Sequence, residues 1–174
     1  WNYRGNMTCP CCGQTTPVKL IKEQSVDGGL NHKLLAVIEQ GDSGKAYRLP
    51  TDEDIQSLDN LPLQELENYR PTEDMQRNSA GGDTFGWGIS QWGQMFPPRQ
   101  LLALQTFVQQ FHALKDELPE SDYIIAVLTY LGIWLDRLAI VGTSFSRWNT
   151  VGEKVEHTFA RQAIPLIFDF PEAN

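Results

Sequence analysis

A chain of 174 residues, 41% hydrophobic and 10% aromatic, is long enough to bury one core, or a core with a small satellite. Its 14 basic residues against 22 acidic ones give a formal net charge of −8. That balance excludes the broad basic stripe with which a free-standing nucleic-acid binder neutralises phosphates, so any DNA contact must be local or supplied by other parts of a larger protein. No apolar h-region follows the opening Trp1-Asn2-Tyr3-Arg4. The greasiest stretch, Tyr123 to Leu135, carries Thr129 and Gly132 and is closed by Asp136-Arg137, too short a run to cross ~30 Å of hydrocarbon. Three cysteines crowded at Cys9, Cys11 and Cys12 make no disulfide framework. The expected location is cytoplasmic, with no membrane partner. A start at Trp1 and a stop at Asn174, straight after an apolar run, suggest an excised piece of a longer protein.

In chain order, Cys9-Pro10-Cys11-Cys12-Gly13 predicts a tight turn, followed by strand-like runs at Val18–Ile21 and Leu34–Ile38. Asp27-Gly28-Gly29 between them reads as a hairpin turn, and Gly41-Asp42-Ser43-Gly44 as a second one leading into Ala46–Leu49. Thr51 is placed to cap a short helix opened by Asp52-Glu53-Asp54. Asn60 to Gly82 is polar and reads as a linker or wrapped loop. Thr84 to Met95 alternates aromatics with glycines, which predicts an aromatic loop packed over a helical core in preference to a base-stacking surface.

Pro97-Pro98 suits a first helical turn, and Leu101, Leu104, Phe107, Val108, Phe111, Leu114 and Leu118 continue it at helical spacing. Ser121 can cap a second helix whose apolar residues, Tyr123 through Leu138, cover almost every face, the pattern of a central helix. Thr150-Val151-Gly152-Glu153 has capping-box form and predicts a third helix through Val155 and Phe159 toward Arg161, ending before Pro165. The expected class is α+β: a ribbon-like β subdomain over 1–59, a linker and aromatic glycine-rich loop over 60–96, and a mainly helical domain over 97–174.

Cys9 and Cys12 have the spacing that brings two thiolates together in half of a tetrahedral zinc site, and Gly13 lets the backbone fold back. Cys11 as a third ligand requires strain, and His32 is the candidate fourth. The alternative is a ribbon that has lost its metal or shares it with a segment outside the chain. No nucleophilic triad is suggested by His32, His112 and His157, and neither phosphate-binding glycine loop is present. Asp136-Arg137, inside an apolar helix, needs partners, for which Arg147, Trp148, Arg161 and Gln162 are candidates. On burial grounds a structural polar network outweighs a role for Arg147 or Arg161 in touching phosphate or cofactor.

Longer ordered motifs carry a resemblance. Thr8-Cys9-Pro10-Cys11-Cys12-Gly13, Tyr47–Asp54, Trp92–Leu104, Tyr130–Leu138, Arg147-Trp148-Asn149, Lys154–Pro165 and Asp169–Asn174 together resemble the large adenine-specific DNA methylases that contain a zinc ribbon. Phe96-Pro97-Pro98 stands where the family usually has Phe-Thr-Pro, and Phe145-Ser146 where a Leu-Cys pair is common. The resemblance implies an insert between the halves of a Rossmann-like methyltransferase domain. The S-adenosylmethionine loop would lie upstream, the Asp-Pro-Pro-Tyr catalytic motif downstream, and the role would be one in restriction or phage defence. It implies no cofactor in this chain beyond zinc. Its partners would be DNA through the parent protein, the remaining methyltransferase domain and defence-system subunits.

Such enzymes must extrude the target base, and inserts help hold the displaced DNA. Arg99, Gln100, Arg147, Trp148, Arg161 and Gln162, polar groups near helix ends, are the candidates to reach phosphates or base edges. The competing expectation is a protein-interaction module that binds a partner subunit through Phe85, Trp87, Trp92 and an acidic face. A stand-alone enzyme is the third expectation, and the missing motifs argue against it.

Overall fold

The computed structural model describes residues 5–76, 84–156, 158–159, 164 and 166–172. Helices and short antiparallel strand pairs make an α+β fold. The strands form three separate two-stranded ribbons, not the single small sheet expected at the N-terminal end.

The first ribbon, β1 (Met7–Thr8) against β2 (Thr15–Thr16), brackets the cysteine turn. The predicted strand at Val18–Ile21 and the hairpin at Asp27-Gly28-Gly29 are both corrected. Val18–Gly28 is one helix, α1, and Gly29 caps its end at φ 72°. Val18, Ile21, Lys22 and Ser25 turn inward at spacings of three and four, a helical period that the branched run Val18-Lys19-Leu20-Ile21 masks at short range. Pro17 precedes the first turn, and the Asn6 side chain accepts the orphan Val18 N–H at 3.0 Å.

The expected strand at Leu34–Ile38 is shifted, to β3 (Val37–Gly41), which pairs with β4 (Gly44–Arg48) across the Asp42-Ser43 turn in the register Val37↔Arg48 to Gly41↔Gly44. Helix α2 (Asp52–Asp59) follows with the expected Thr51 cap: Thr51 Oγ1 accepts from Asp54 N at 3.3 Å, and Thr51 N donates to Asp54 Oδ2 at 2.7 Å. Arg48 ties hairpin to helix, donating to Glu39 at 2.6 Å and in bidentate fashion to Asp54 at 2.5 and 3.1 Å. These bonds hold the Asp54 carboxyl well below the usual carboxylate range.

Over residues 60–76 the polar stretch is a wrapped arm with structure of its own, and its remainder, with Ala80-Gly81-Gly82, lies outside the described residues. Helix α3 (Leu63–Glu67) buries Leu66, and Asp74 bridges to Gln91. Arg70 is its clamp. The guanidinium grips Glu67 through bonds of 2.7 to 3.0 Å and donates to the Gly93 and Phe96 carbonyls at 2.6 and 2.9 Å. The aromatic loop winds as two 3₁₀ turns, Phe85–Trp87 and Trp92–Met95. It packs inward, against α1 and the loop junction where a helical core was expected, with Trp87 buried against α1 and edge-on to Phe168 at 4.9 Å. Gly88, at φ 80°, allows this approach, since a Cβ there would lie 2.6 Å from the Ser25 carbonyl oxygen.

Helix α4 (Pro98–Glu117) and helix α5 (Asp122–Val141) form the expected hairpin, with Ser121 Oγ accepting from Ile124 N at 3.3 Å. Two expectations about α5 are overturned. It is not a central helix, because none of its residues is buried: Tyr130 is 75% exposed and Ile133 58%. Nor does the apolar segment end at Leu135. The helix runs through Asp136-Arg137 to Val141, and by length and composition alone it could cross a membrane. Asp136 and Arg137 are exposed, so no buried polar network forms around them.

The third helix is replaced by a hairpin, β5 (Arg147–Asn149) against β6 (Lys154–Glu156). Asn149 Oδ1 accepts from the amides of Val151 and Gly152 at 3.0 and 2.8 Å, a side-chain-built turn that takes the donors a helix start would use. The core lies where the loops meet. Met75, Met95 and Phe145 are buried together, with Phe85, Ile89, Trp92, Phe96, Ile164 and Leu166 packed around them.

Candidate nucleic-acid interface and cysteine knuckle

Trp148 of strand β5 stands beside the β3–β4 hairpin, and the two ribbons are stitched together. Trp148 Nε1 donates to the Tyr47 hydroxyl at 3.3 Å, Lys45 Nζ lies 4.8 Å over the Trp148 ring, and the same ammonium donates to the Glu153 carbonyl. Arg147 Nε donates to Glu156 Oε2 at 2.5 Å, and Asn149 Nδ2 to Glu156 Oε1 at 2.6 Å. Those bonds, with the Asn149 amide contributing most, hold the Glu156 carboxyl below its ordinary value. The Arg147 side chain remains 57% exposed. The outcome is a ridge formed by the Trp148 ring, the Tyr47 phenol and the Lys45 ammonium, while Arg147, paired with Glu156, projects from the other face of the same strand. Sequence reading named Arg147 and Trp148 but missed Lys45 and Tyr47, which lie a hundred residues away and are joined to them only by the fold. Alternation in Lys45-Ala46-Tyr47, which puts an ammonium and a phenol on one strand face, was the available signal.

The other candidates are elsewhere. Arg99, in the first turn of α4, pairs with Glu172 at 3.4 Å, and burial raises the Glu172 pKa above its ordinary value against the opposing pull of Arg99. Gln100 is buried where α4 meets the end of α5, its carbonyl oxygen 2.8 Å from the space a side chain on Gly142 would need. Arg161 and Gln162 lie outside the described residues, as does His157. Of the aromatic loop, Trp87 is buried, and Phe85 and Trp92 are partly buried against the Met75–Met95–Phe145 core.

At the knuckle, Cys9 N donates to the Gln14 carbonyl and Gly13 N to the Cys9 carbonyl, both at 2.9 Å, and Gly13 takes φ 73°. Hydrogen bonds from the Cys12 and Cys11 amides, in that order, lower the Cys9 thiol's pKa. Amides aimed at a sulfur are what a thiolate ligand requires, so this turn fits half of a tetrahedral zinc site. The other half is not assembled: among the described residues no three His, Cys, Asp or Glu side chains gather to hold a metal. His32 lies in the coil after α1, edge-on to Phe170 at 4.9 Å, where desolvation lowers its pKa. It lines a cleft of about 300 Å³ whose wall includes Trp87, Phe96 and Phe168.

Compared with known proteins, the chain matches no family model, no curated protein and no solved structure.

Proposed function

We propose that this chain is an accessory segment of an S-adenosylmethionine-dependent DNA adenine methyltransferase, positioning DNA for a catalytic domain carried elsewhere in a cytoplasmic parent protein that acts in restriction or phage defence. The ordered motifs from Thr8 to Asn174 support the parent assignment. The observation that carries the DNA-positioning role is the ridge of Lys45, Tyr47 and Trp148, with the exposed Arg147 next to Trp148 in β5. Two aromatic rings with a lysine ammonium over one of them, and an arginine on the neighbouring strand position, suit a displaced strand, whose bases stack and whose phosphates pair. A contact this small accords with the chain's net charge of −8: the ridge fixes register while the rest of the enzyme supplies most of the affinity. Zinc in the knuckle would be completed by donors beyond the described residues.

The test is a filter-binding titration of the chain with single-stranded and duplex DNA over a range of salt. Binding should weaken as salt rises, and Arg147→Ala should lower the slope of log K against log salt by about 0.7–0.9, the loss of one phosphate contact. Absence of binding at low salt defeats the reading. So does methyl transfer from labelled S-adenosylmethionine to DNA by the chain alone, because an accessory segment has no such activity.

A further inference from the structure

Helix α5 leaves a large apolar surface uncovered, and the surface has a charge pattern that selects its occupant. Tyr130, Ile133, Trp134, Asp136, Arg137 and Ile140 line a shallow groove of about 450 Å³ along one helix. Phe107 of α4 extends the greasy face, edge-on to Trp134 at 5.2 Å. Large side chains present roughly 150–250 Å² each. With the exposed fractions of Tyr123, Tyr130, Ile133, Trp134 and Phe107, the face amounts to on the order of 600 Å², approaching the ~800 Å² that each partner contributes to a standard interface.

Asp136 and Arg137 stand side by side on this face, exposed, and neither forms an ion pair with another described residue. Neighbours in a helix do not face each other, so they cannot satisfy one another. A two-fold axis through the groove changes that: Asp136 of one copy comes within reach of Arg137 of the other, and the reverse pair forms at the same time. An isologous interface demands a self-complementary patch, and adjacent unlike charges within an apolar surface provide one. A bilayer is a poor occupant. The short turn from Leu118 to Ser121 would force α4 to accompany α5, carrying Gln109, Gln110, His112, Lys115, Asp116 and Glu117 into hydrocarbon.

We infer that α5 is a homodimerisation helix, two copies packing through the Tyr130–Ile140 groove with reciprocal Asp136–Arg137 pairs. Sedimentation velocity of the whole chain from about 1 to about 100 μM should show dimer at the upper end. Asp136→Arg and Arg137→Asp should each weaken self-association at least about tenfold, because each sets like charges against each other in a desolvated contact. Mixing the two variants in equal amounts should restore the dimer, as should both changes in one chain, since unlike charges then face again. Both sites are exposed, so unchanged far-ultraviolet circular dichroism separates lost association from lost folding. A wild-type chain that stays monomeric throughout overturns the inference. A dimer indifferent to either reversal, or variants that fail to rescue each other on mixing, does the same. None of these measurements uses DNA, so the inference and the methyltransferase reading can fail independently.

Discussion

Two glycine-to-alanine substitutions should shift stability in opposite directions, and the structure gives the reason for each. At Gly93 an added Cβ would lie 2.1 Å from the Pro71 carbonyl oxygen and 2.5 Å from Arg70 Cγ. The first obstacle is backbone, held by the Gly93 N–H to Pro71 bond at 3.1 Å, and the second is anchored by the Arg70 bonds to Gly93 and Phe96. Relief requires more than an ångström of movement in a segment that carries Met95 into the core. Overpacking costs about 1–3 kcal/mol before any hydrogen bond is lost, and each charged bond broken adds about 1.5–3 kcal/mol. Gly93→Ala should therefore cost about 3 kcal/mol or more. Gly132, in the middle of α5, has nothing within 4 Å of the corresponding position and an ordinary helical backbone. Alanine there should stabilise by about 0.5–1 kcal/mol, because glycine loses more backbone entropy in a helix. The assay is urea unfolding followed by tryptophan fluorescence, at concentrations low enough to exclude self-association. Shifts of the same sign in both variants would refute the clash reasoning.

Two further outcomes follow from local chemistry. Thr51→Ala should cost about 0.5–2 kcal/mol in the same assay, since it removes the acceptor at the α2 N-terminus and a hydroxyl that steadies Asp54 against Arg48. His32 titrates below its ordinary value in the folded chain because desolvation penalises its charged form, whereas the unfolded chain takes up the proton near the ordinary value. Stability should thus fall as pH drops through the ordinary histidine range toward the folded value; His32→Asn should flatten unfolding midpoints across that window, and an unchanged slope would count against the cleft wall as the cause.

Legibility of the fold in the sequence followed the range of the deciding interaction. The Thr51 cap, the Asp42-Ser43 turn, the Pro97-Pro98 start of α4 and the Ser121 cap were all readable, because each is settled within four residues. Thr150–Glu153 failed for an instructive reason. Its capping-box pattern competes with Asn149, whose carbonyl oxygen captures the next two free amides and closes a hairpin instead. The Val18–Ile21 run failed because four branched or long residues cannot distinguish a strand from a helix without Lys22 and Ser25. At the ridge, Trp148 was visible because it adjoins Arg147 in sequence; Lys45 and Tyr47 were not, since only the docking of two ribbons brings them near.

Helix α5 shows the deeper limit. Apolar residues on every face identify a helix that needs covering, and the sequence reading supplied the cover from within the chain. The core instead sits at the loop junction around Phe145, which is 1% exposed, where Met75 and Met95 arrive from the wrapped arm and the second 3₁₀ turn. Ser144 fixes that junction through its amide and hydroxyl on the Met95 carbonyl, at 2.8 and 3.1 Å. With the loops occupying the centre, no third helix covers α5 among the described residues, and the β5–β6 hairpin that stands at the expected helix start turns toward Tyr47 and Lys45. Thus a local contest at Asn149, between opening a helix and closing a turn, bears on both proposed surfaces at once. It brings Trp148 to Tyr47 and Lys45, and it leaves the 20-residue apolar helix α5 without a buried residue.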